Sequence, residues 1–127
     1  MTESLLTYVE ERNKYNFTIA EGHLYKGQKA GLWIEYYSKK SLSEGLRIKA
    51  RGFYKDGQKN GRWFEYHHNG YLKGIGYYVN GCKVGKWDYF DKKGFAVACI
   101  QYPTQAVVSK HSVLSNVLGK VRPRQHS

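Results

Sequence analysis

Acidic residues are scarce in this chain: 10 Asp and Glu stand against 21 Lys and Arg, a net charge of +11 over 127 residues. The shortage argues against cationic partners and favours acidic ones: nucleic acid, an anionic membrane surface or an acidic protein face. No run of 18 apolar residues occurs, which excludes a membrane-spanning helix. The N-terminal MTESLLTYVEERN has acids where a secretory signal needs a basic start and lacks a long apolar centre, so an intracellular, cytoplasmic location is expected. There are only two cysteines, Cys82 and Cys99, without the paired spacing of a zinc site. They read as reduced thiols used for packing. Proline is equally rare, with two residues, whereas aromatics reach 16% and glycine 14 residues. Disordered chains are aromatic-poor, so this mixture points to strands punctuated by turns. The length suits one domain or one repeat array.

What is abundant is also periodic. The phrases GLWIEY (31–36), GRWFEY (61–66) and GKWDYF (85–90) align on Trp33, Trp63 and Trp87. Around them, Gly22, Gly52 and Gly76 open three units, and Gly27, Gly57 and Gly81 follow five residues on. Lys29, Lys59 and Lys83 come next, then Gly31, Gly61 and Gly85, with Tyr36, Tyr66 and Phe90 three residues after each tryptophan. The spacing is 30 residues and then 24, so six extra residues lie within SKKSLSEGLRIKAR. Self-similarity at such a period is the mark of a repeat architecture.

The phrase resembles the membrane occupation and recognition nexus (MORN) repeat, and in particular its bacterial and viral variant with a G-x-W-x-x-Y core followed by N-G-x-L. GRWFEYHHNGYLKG carries the pattern most fully; the third unit has KKG at 92–94 where the N-G turn belongs. The likeness covers about residues 22–99. It implies a structural repeat serving protein contacts and oligomerisation. Such arrays are often labelled toxin–antitoxin components, and large DNA viruses carry many. An antitoxin-like protein or a viral structural or accessory protein, within a virion in the latter case, is therefore what the resemblance suggests.

The residues alone lead to the same architecture. A 24-residue unit holds two strands of about six residues and two turns. The turns are visible in YKGQKAG, KDGQKNG and VNGCKVG, where Asp-Gly and Asn-Gly favour the positive φ of tight hairpins. Alternation puts Trp63 and Glu65 on one face and Arg62, Phe64 and Tyr66 on the other. Gly74 and Gly76, like Ala50 and Gly52, leave a furrow over which a neighbouring ring can lie. The expected fold is mainly β: an elongated, twisted, antiparallel meander of stacked hairpins with an amphipathic C-terminal helix. Residues 1–21 read as an N-terminal cap or divergent hairpin, 22–103 as three repeats plus a closing strand, and 104–127 as the helix and a basic tail. Within the cap a turn is expected near Asn13 and Lys14, and residues 2–12 stay open between helix and strand. The helix rests on Val107, Leu114 and Leu118 at helical intervals, with Gly119 as a stop.

No catalytic constellation emerges. His67 and His68 are adjacent on a strand and point apart, which is unsuited to a shared metal. Glu35 and Glu65 occupy equivalent places, but Tyr89 replaces them in the third unit, so repeated ion pairs with Lys or Arg are the simpler reading. The glycine turns lack the strand-loop-helix setting of a phosphate loop. Neither an enzyme nor a cofactor or metal is expected. From 22 to 103 there are 15 Lys and Arg and 6 Asp and Glu. Lys29, Lys59 and Lys83 recur in one turn, with Arg62 and Lys86 near them, and form either a basic edge for an anionic partner or a solubilising one. The leading expectation is a non-catalytic scaffold binding another protein. Anionic-lipid binding is the first alternative and association with nucleic acid, less favoured, the second; self-association through edge strands is a further possibility.

Overall fold

Two kinds of turn, used in alternation, lay this chain out as a meander. In a computed structural model that describes residues 5–104, eight strands follow one another: β1 (Leu6–Arg12), β2 (Thr18–Tyr25), β3 (Gln28–Tyr36), β4 (Ile48–Lys55), β5 (Gln58–Tyr66), β6 (Leu72–Val79), β7 (Cys82–Phe90) and β8 (Ala96–Tyr102). Each pairs antiparallel with the next, giving one eight-stranded open sheet in sequence order. No helix occurs among the described residues. The helix and tail read over 104–127 lie, apart from Thr104, outside them.

The first kind of turn has two residues. Lys26–Gly27, Asp56–Gly57 and Asn80–Gly81 all have positive φ, close to 50° and then 84°, as a hairpin turn matching the sheet's twist demands. Tyr25 therefore faces Gln28, Lys55 faces Gln58 and Val79 faces Cys82. The second kind is longer. The amides of Asn13, His67 and Asp91 bond the carbonyls of Phe17, Tyr71 and Phe95 four residues on. Between β3 and β4 the same closure is made by the Tyr37 amide to the Arg47 carbonyl, ten residues on. The six-residue insertion of the first unit is thus confined to this one loop. The leading hairpin turns at Asn13–Phe17, and residues 6–12 are strand, not helix.

The registers repeat as well. Trp33 lies between Gly22 and Gly52, Trp63 between Gly52 and Gly76, and Trp87 beside Ile100. In each two-residue hairpin a bulge gives the second strand two extra residues, around Gly31, Gly61 and Gly85, all at positive φ. The three indoles are fully buried although the sheet is a single layer.

Candidate interaction faces of the sheet

How can a one-layer sheet bury a tryptophan? The glycine opposite supplies the room. A Cβ at Gly22, Gly52 or Gly76 would sit inside the ring of Trp33, Trp63 or Trp87, so only glycine lets the indole lie flat on the neighbouring backbone. The bulge then gives the ring a polar anchor. The Nε1–H groups of Trp33, Trp63 and Trp87 donate to the carbonyls of His23, Phe53 and Tyr77 at 2.9, 2.9 and 3.0 Å. Those carbonyls belong to the residues following the furrow glycines, where the ladder is interrupted. Tyrosines fill the gaps between indoles. Trp33, Tyr54, Trp63, Tyr78 and Trp87 form an edge-to-face series with centroid separations of 5.4–5.9 Å, a geometry favoured by ring quadrupoles.

Lys29, Lys59 and Lys83 close this face from above. Each ammonium lies 4.3–4.5 Å from the centroid of its own unit's indole. Each also pairs with a carboxylate one unit back: Lys29 with Glu11 at 3.1 Å, Lys59 with Glu35 and Lys83 with Glu65 at 3.8 Å. The expected repeated ion pairs of Glu35 and Glu65 are therefore present. These lysines lie along the tryptophan face as partly covered members of a Glu–Lys–Trp stack, not along a free edge. Arg62 and Lys86 are elsewhere, on the opposite face. Arg62 stacks over Tyr77 at 4.8 Å and donates to its hydroxyl at 3.1 Å, while Lys86 pairs with Asp88 at 3.9 Å. The five residues are not brought together as one ladder.

Burial and neighbouring carboxylates raise the phenols of this stack. Desolvation, with help from Glu35, lifts Tyr54 to about 12. Desolvation and the Tyr89 hydroxyl lift Tyr102 likewise to about 12. Tyr78 and Tyr89 are raised too, chiefly by burial. Tyr89 bonds both the Lys83 ammonium, at 2.8 Å, and the Tyr102 hydroxyl, at 3.0 Å, so the third unit uses a phenol where the others use Glu.

The other face is built differently. Tyr8, Leu32, Phe53 and Tyr77 are each 47–49% exposed, and on an open sheet they form an apolar band. Arg51, Lys55 and Arg62 accompany it across β4–β6, where alternation puts no acid on this face; Lys49 and Lys73 are the extra residues of the bulges facing Glu35 and Glu65. None of Arg51, Lys55 and Arg62 is in an ion pair among the described residues. Arg51 lies 4.4 Å from the Phe64 ring and donates to the Tyr66 hydroxyl at 2.9 Å. Tyr36, its repeat counterpart, donates instead to Glu21, as does Tyr8. These hydroxyls hold Glu21 below the usual carboxylate range. Tyr36 is raised to about 12, first by burial and then by Glu21. Beside Glu21 a shallow hollow of about 380 Å³ opens between Leu6, Tyr8, His23, Leu32 and Ile34. Phe90, third of the aligned Tyr36/Tyr66/Phe90 set, offers its carbonyl to the His67 ring at 2.8 Å.

The open face was not singled out in the sequence, although its signal was there: Phe53 and Tyr77 directly follow the furrow glycines. Cys82 and Cys99 are free, as expected of reduced thiols, but exposed and not packed. Among the described residues, no three His, Cys, Asp or Glu side chains are grouped so as to hold a metal ion. No protein-family model, no curated protein and no solved structure matches the chain.

Proposed function

We propose that this chain is a non-catalytic, MORN-like repeat scaffold that contributes its open sheet face to a protein assembly. One observation carries the reading: one face is closed by its own Trp–Tyr–Lys–Glu stack, while the other presents Leu32, Phe53 and Tyr77 among cations that have no acid of their own. A half-exposed apolar band rimmed by charge is the usual composition of a protein contact surface. The resemblance of GRWFEYHHNGYLKG and its two counterparts to MORN repeats supports an architectural role, of the antitoxin-like or viral structural kind. An enzyme is the weakest reading, because among the described residues neither face groups a nucleophile, a base and an oxyanion site.

The test is affinity capture of the native chain beside the double variant F53S/Y77S, followed by mass spectrometry. A stoichiometric protein retained by the parent and lost by the equally stable variant is the expected result. Flotation on vesicles that rises with phosphatidylserine content, without a protein companion, would replace this reading with lipid binding. Salt-sensitive retention of single-stranded nucleic acid would replace it with the second alternative.

A further inference from the structure

Two departures from the repeat meet at one place. The first unit carries an insertion between β3 and β4, and the third has KKG at 92–94 where the second has HNG at 68–70. Both changes fall in the longer turns, which follow one another along one end of the strands. There Lys14, Lys39, Lys40, Arg47, Lys92 and Lys93 stand against Glu44 and Asp91.

These turns are tied to each other. The Asn13 side-chain amide donates to the Lys39 carbonyl at 2.7 Å, the Tyr37 hydroxyl to the Tyr66 carbonyl at 2.6 Å, and the Asn69 side-chain amide to the Lys92 carbonyl at 2.9 Å. The inserted loop thereby brings Arg47 over the β5–β6 turn, where its guanidinium reaches the His68 carbonyl at 3.5 Å. The His68 ring packs on Tyr37 with centroids 4.9 Å apart. A hollow of about 360 Å³ opens between Arg47, His68, Asn69 and Lys92, which belong to three successive turns.

No carboxylate lines this hollow, and neither Arg47 nor Lys92 is in an ion pair among the described residues. Both acids of this end have backbone partners. Asp91 accepts the amides of Lys93 and Phe95 at 2.9 and 3.0 Å. Glu44, in an adjoining hollow that Arg47 and His68 also line, accepts the Lys40 amide at 3.3 Å. Outside the described residues the sequence has one further acid, Glu3. Two cations, an imidazole and an amide around one concavity create a field that collects anions. Arginine offers a planar fork and lysine a point charge, a pair better matched to a tetrahedral dianion than to a single carboxylate.

We propose that this hollow binds a phosphate monoester group, with Arg47 and Lys92 neutralising its two charges and His68 and Asn69 donating to its remaining oxygens. The site lies at the turn end of the sheet and is independent of what the open face binds. Soluble esters carry this group, and so does the lipid phosphatidic acid.

The experiment titrates the isotopically labelled full chain with glycerol phosphate at about pH 7.5, where the ester is a dianion. Chloride is adjusted to hold the ionic strength constant. Saturable amide shifts at His68, Asn69, Lys92 and Lys93 are expected, with inorganic phosphate competing. Arg47→Gln and Lys92→Gln each remove a charge-assisted contact and should weaken binding about tenfold. Lys26→Gln, which makes the same change in net charge at the opposite end, should not. All three side chains are exposed, and unchanged melting of each variant shows that the sheet is intact. Flotation with phosphatidic acid vesicles, against phosphatidylcholine alone, separates the two sources. Retention that Arg47→Gln and Lys92→Gln both lose extends the site to the headgroup; no retention restricts it to soluble esters. Shifts that follow ionic strength alone overturn the proposal. So do acetate binding as tightly as the ester, and a Lys26→Gln loss equal to that of Arg47→Gln. Single-stranded nucleic acid that binds here and is not displaced by glycerol phosphate would also overturn it, making this end a surface for polyanions.

Discussion

The two faces of this sheet use the same vocabulary of aromatic rings and basic side chains, yet one is finished and the other is not. On the tryptophan face Trp33, Tyr54, Trp63, Tyr78 and Trp87 meet edge-on in series, every indole N–H has its carbonyl, and Lys29, Lys59 and Lys83 each have both a ring and a carboxylate. The stack repeats by translation from unit to unit, so each copy's glutamate serves the next copy's lysine. Across β4–β6 of the open face the arginines also lie over rings, but the acids are missing and the rings remain half in water. Aromatic content alone therefore does not say which face is core. What decides is whether each cation has been given an anion and each ring a glycine to lie on.

The comparison breaks most severely at the centre of the closed face. Trp63→Ala removes a fully buried ring that touches Tyr54 and Tyr78 and holds the Phe53 carbonyl. The expected loss is about 3–5 kcal/mol in chemical denaturation, enough to leave much of the chain unfolded at ordinary temperature. Removing Phe53 from the open face by as many atoms should cost far less. Equal losses would mean that both faces are core.

Gly52→Ala probes the same face from the other side of the contact. Its methyl has no place except inside the Trp63 ring. The indole must lift, which weakens the 2.9 Å bond to Phe53 and the edge contact with Tyr54. A cost of about 1–3 kcal/mol is expected from such overpacking. Gly45→Ala, in the inserted loop with open space around it, is the matched control and should change little. If the two substitutions cost the same, the glycine is needed for backbone freedom and not for the ring.

Much of this was legible in the sequence, for a physical reason. Trp and Gly recur together because each is useless without the other, and so their spacing exposes the register as well as the strands. The Asp-Gly and Asn-Gly pairs fixed two hairpins, and Lys26–Gly27 follows them by position. The placement of the lysines was harder. Lys29 and Trp33 are four residues apart, about 13 Å along a regular strand, too far for a cation over a ring. The bulge at Gly31 takes up two residues and makes them neighbours. A glycine between Lys and Trp is thus the sign that the lysine belongs to the core stack. The leading hairpin was blurred because Val9 stands where a tryptophan would. The open face stayed unread because nothing within it repeats strictly: Leu32, Arg62 and Lys86 occupy one equivalent place and Tyr36, Tyr66 and Phe90 another.

Alkaline titration reports the covered phenols of both faces. Tyr54 and Tyr102 on the closed face, and Tyr36 with Glu21, are raised to about 12. A raised phenol favours the neutral form in the folded state. Its contribution is complete below the unfolded value near 10 and is lost as pH climbs through about 12. Denaturant midpoints should therefore hold up to about pH 10 and fall beyond it, while absorbance at 295 nm shows a late-ionising group of tyrosines. A single transition at the ordinary tyrosine value with no loss of stability would place these hydroxyls in water.

The smallest expected change is the one that defines the open face. F53S/Y77S removes two rings that are already half solvated, and no indole or carbonyl depends on either side chain for a partner. Tyr77 does receive the Arg62 guanidinium, but that contact is exposed and brings no ion pair. The two changes together should shift stability by under about 1 kcal/mol, near the scale of ordinary surface substitutions. Binding should respond quite differently, because the same rings are the apolar centre of the band between Arg51 and Arg62. A variant that melts with the parent but captures nothing would show that this face is kept for contact. One that melts much earlier would instead make Phe53 and Tyr77 part of the fold, and the contrast between the faces would be one of degree.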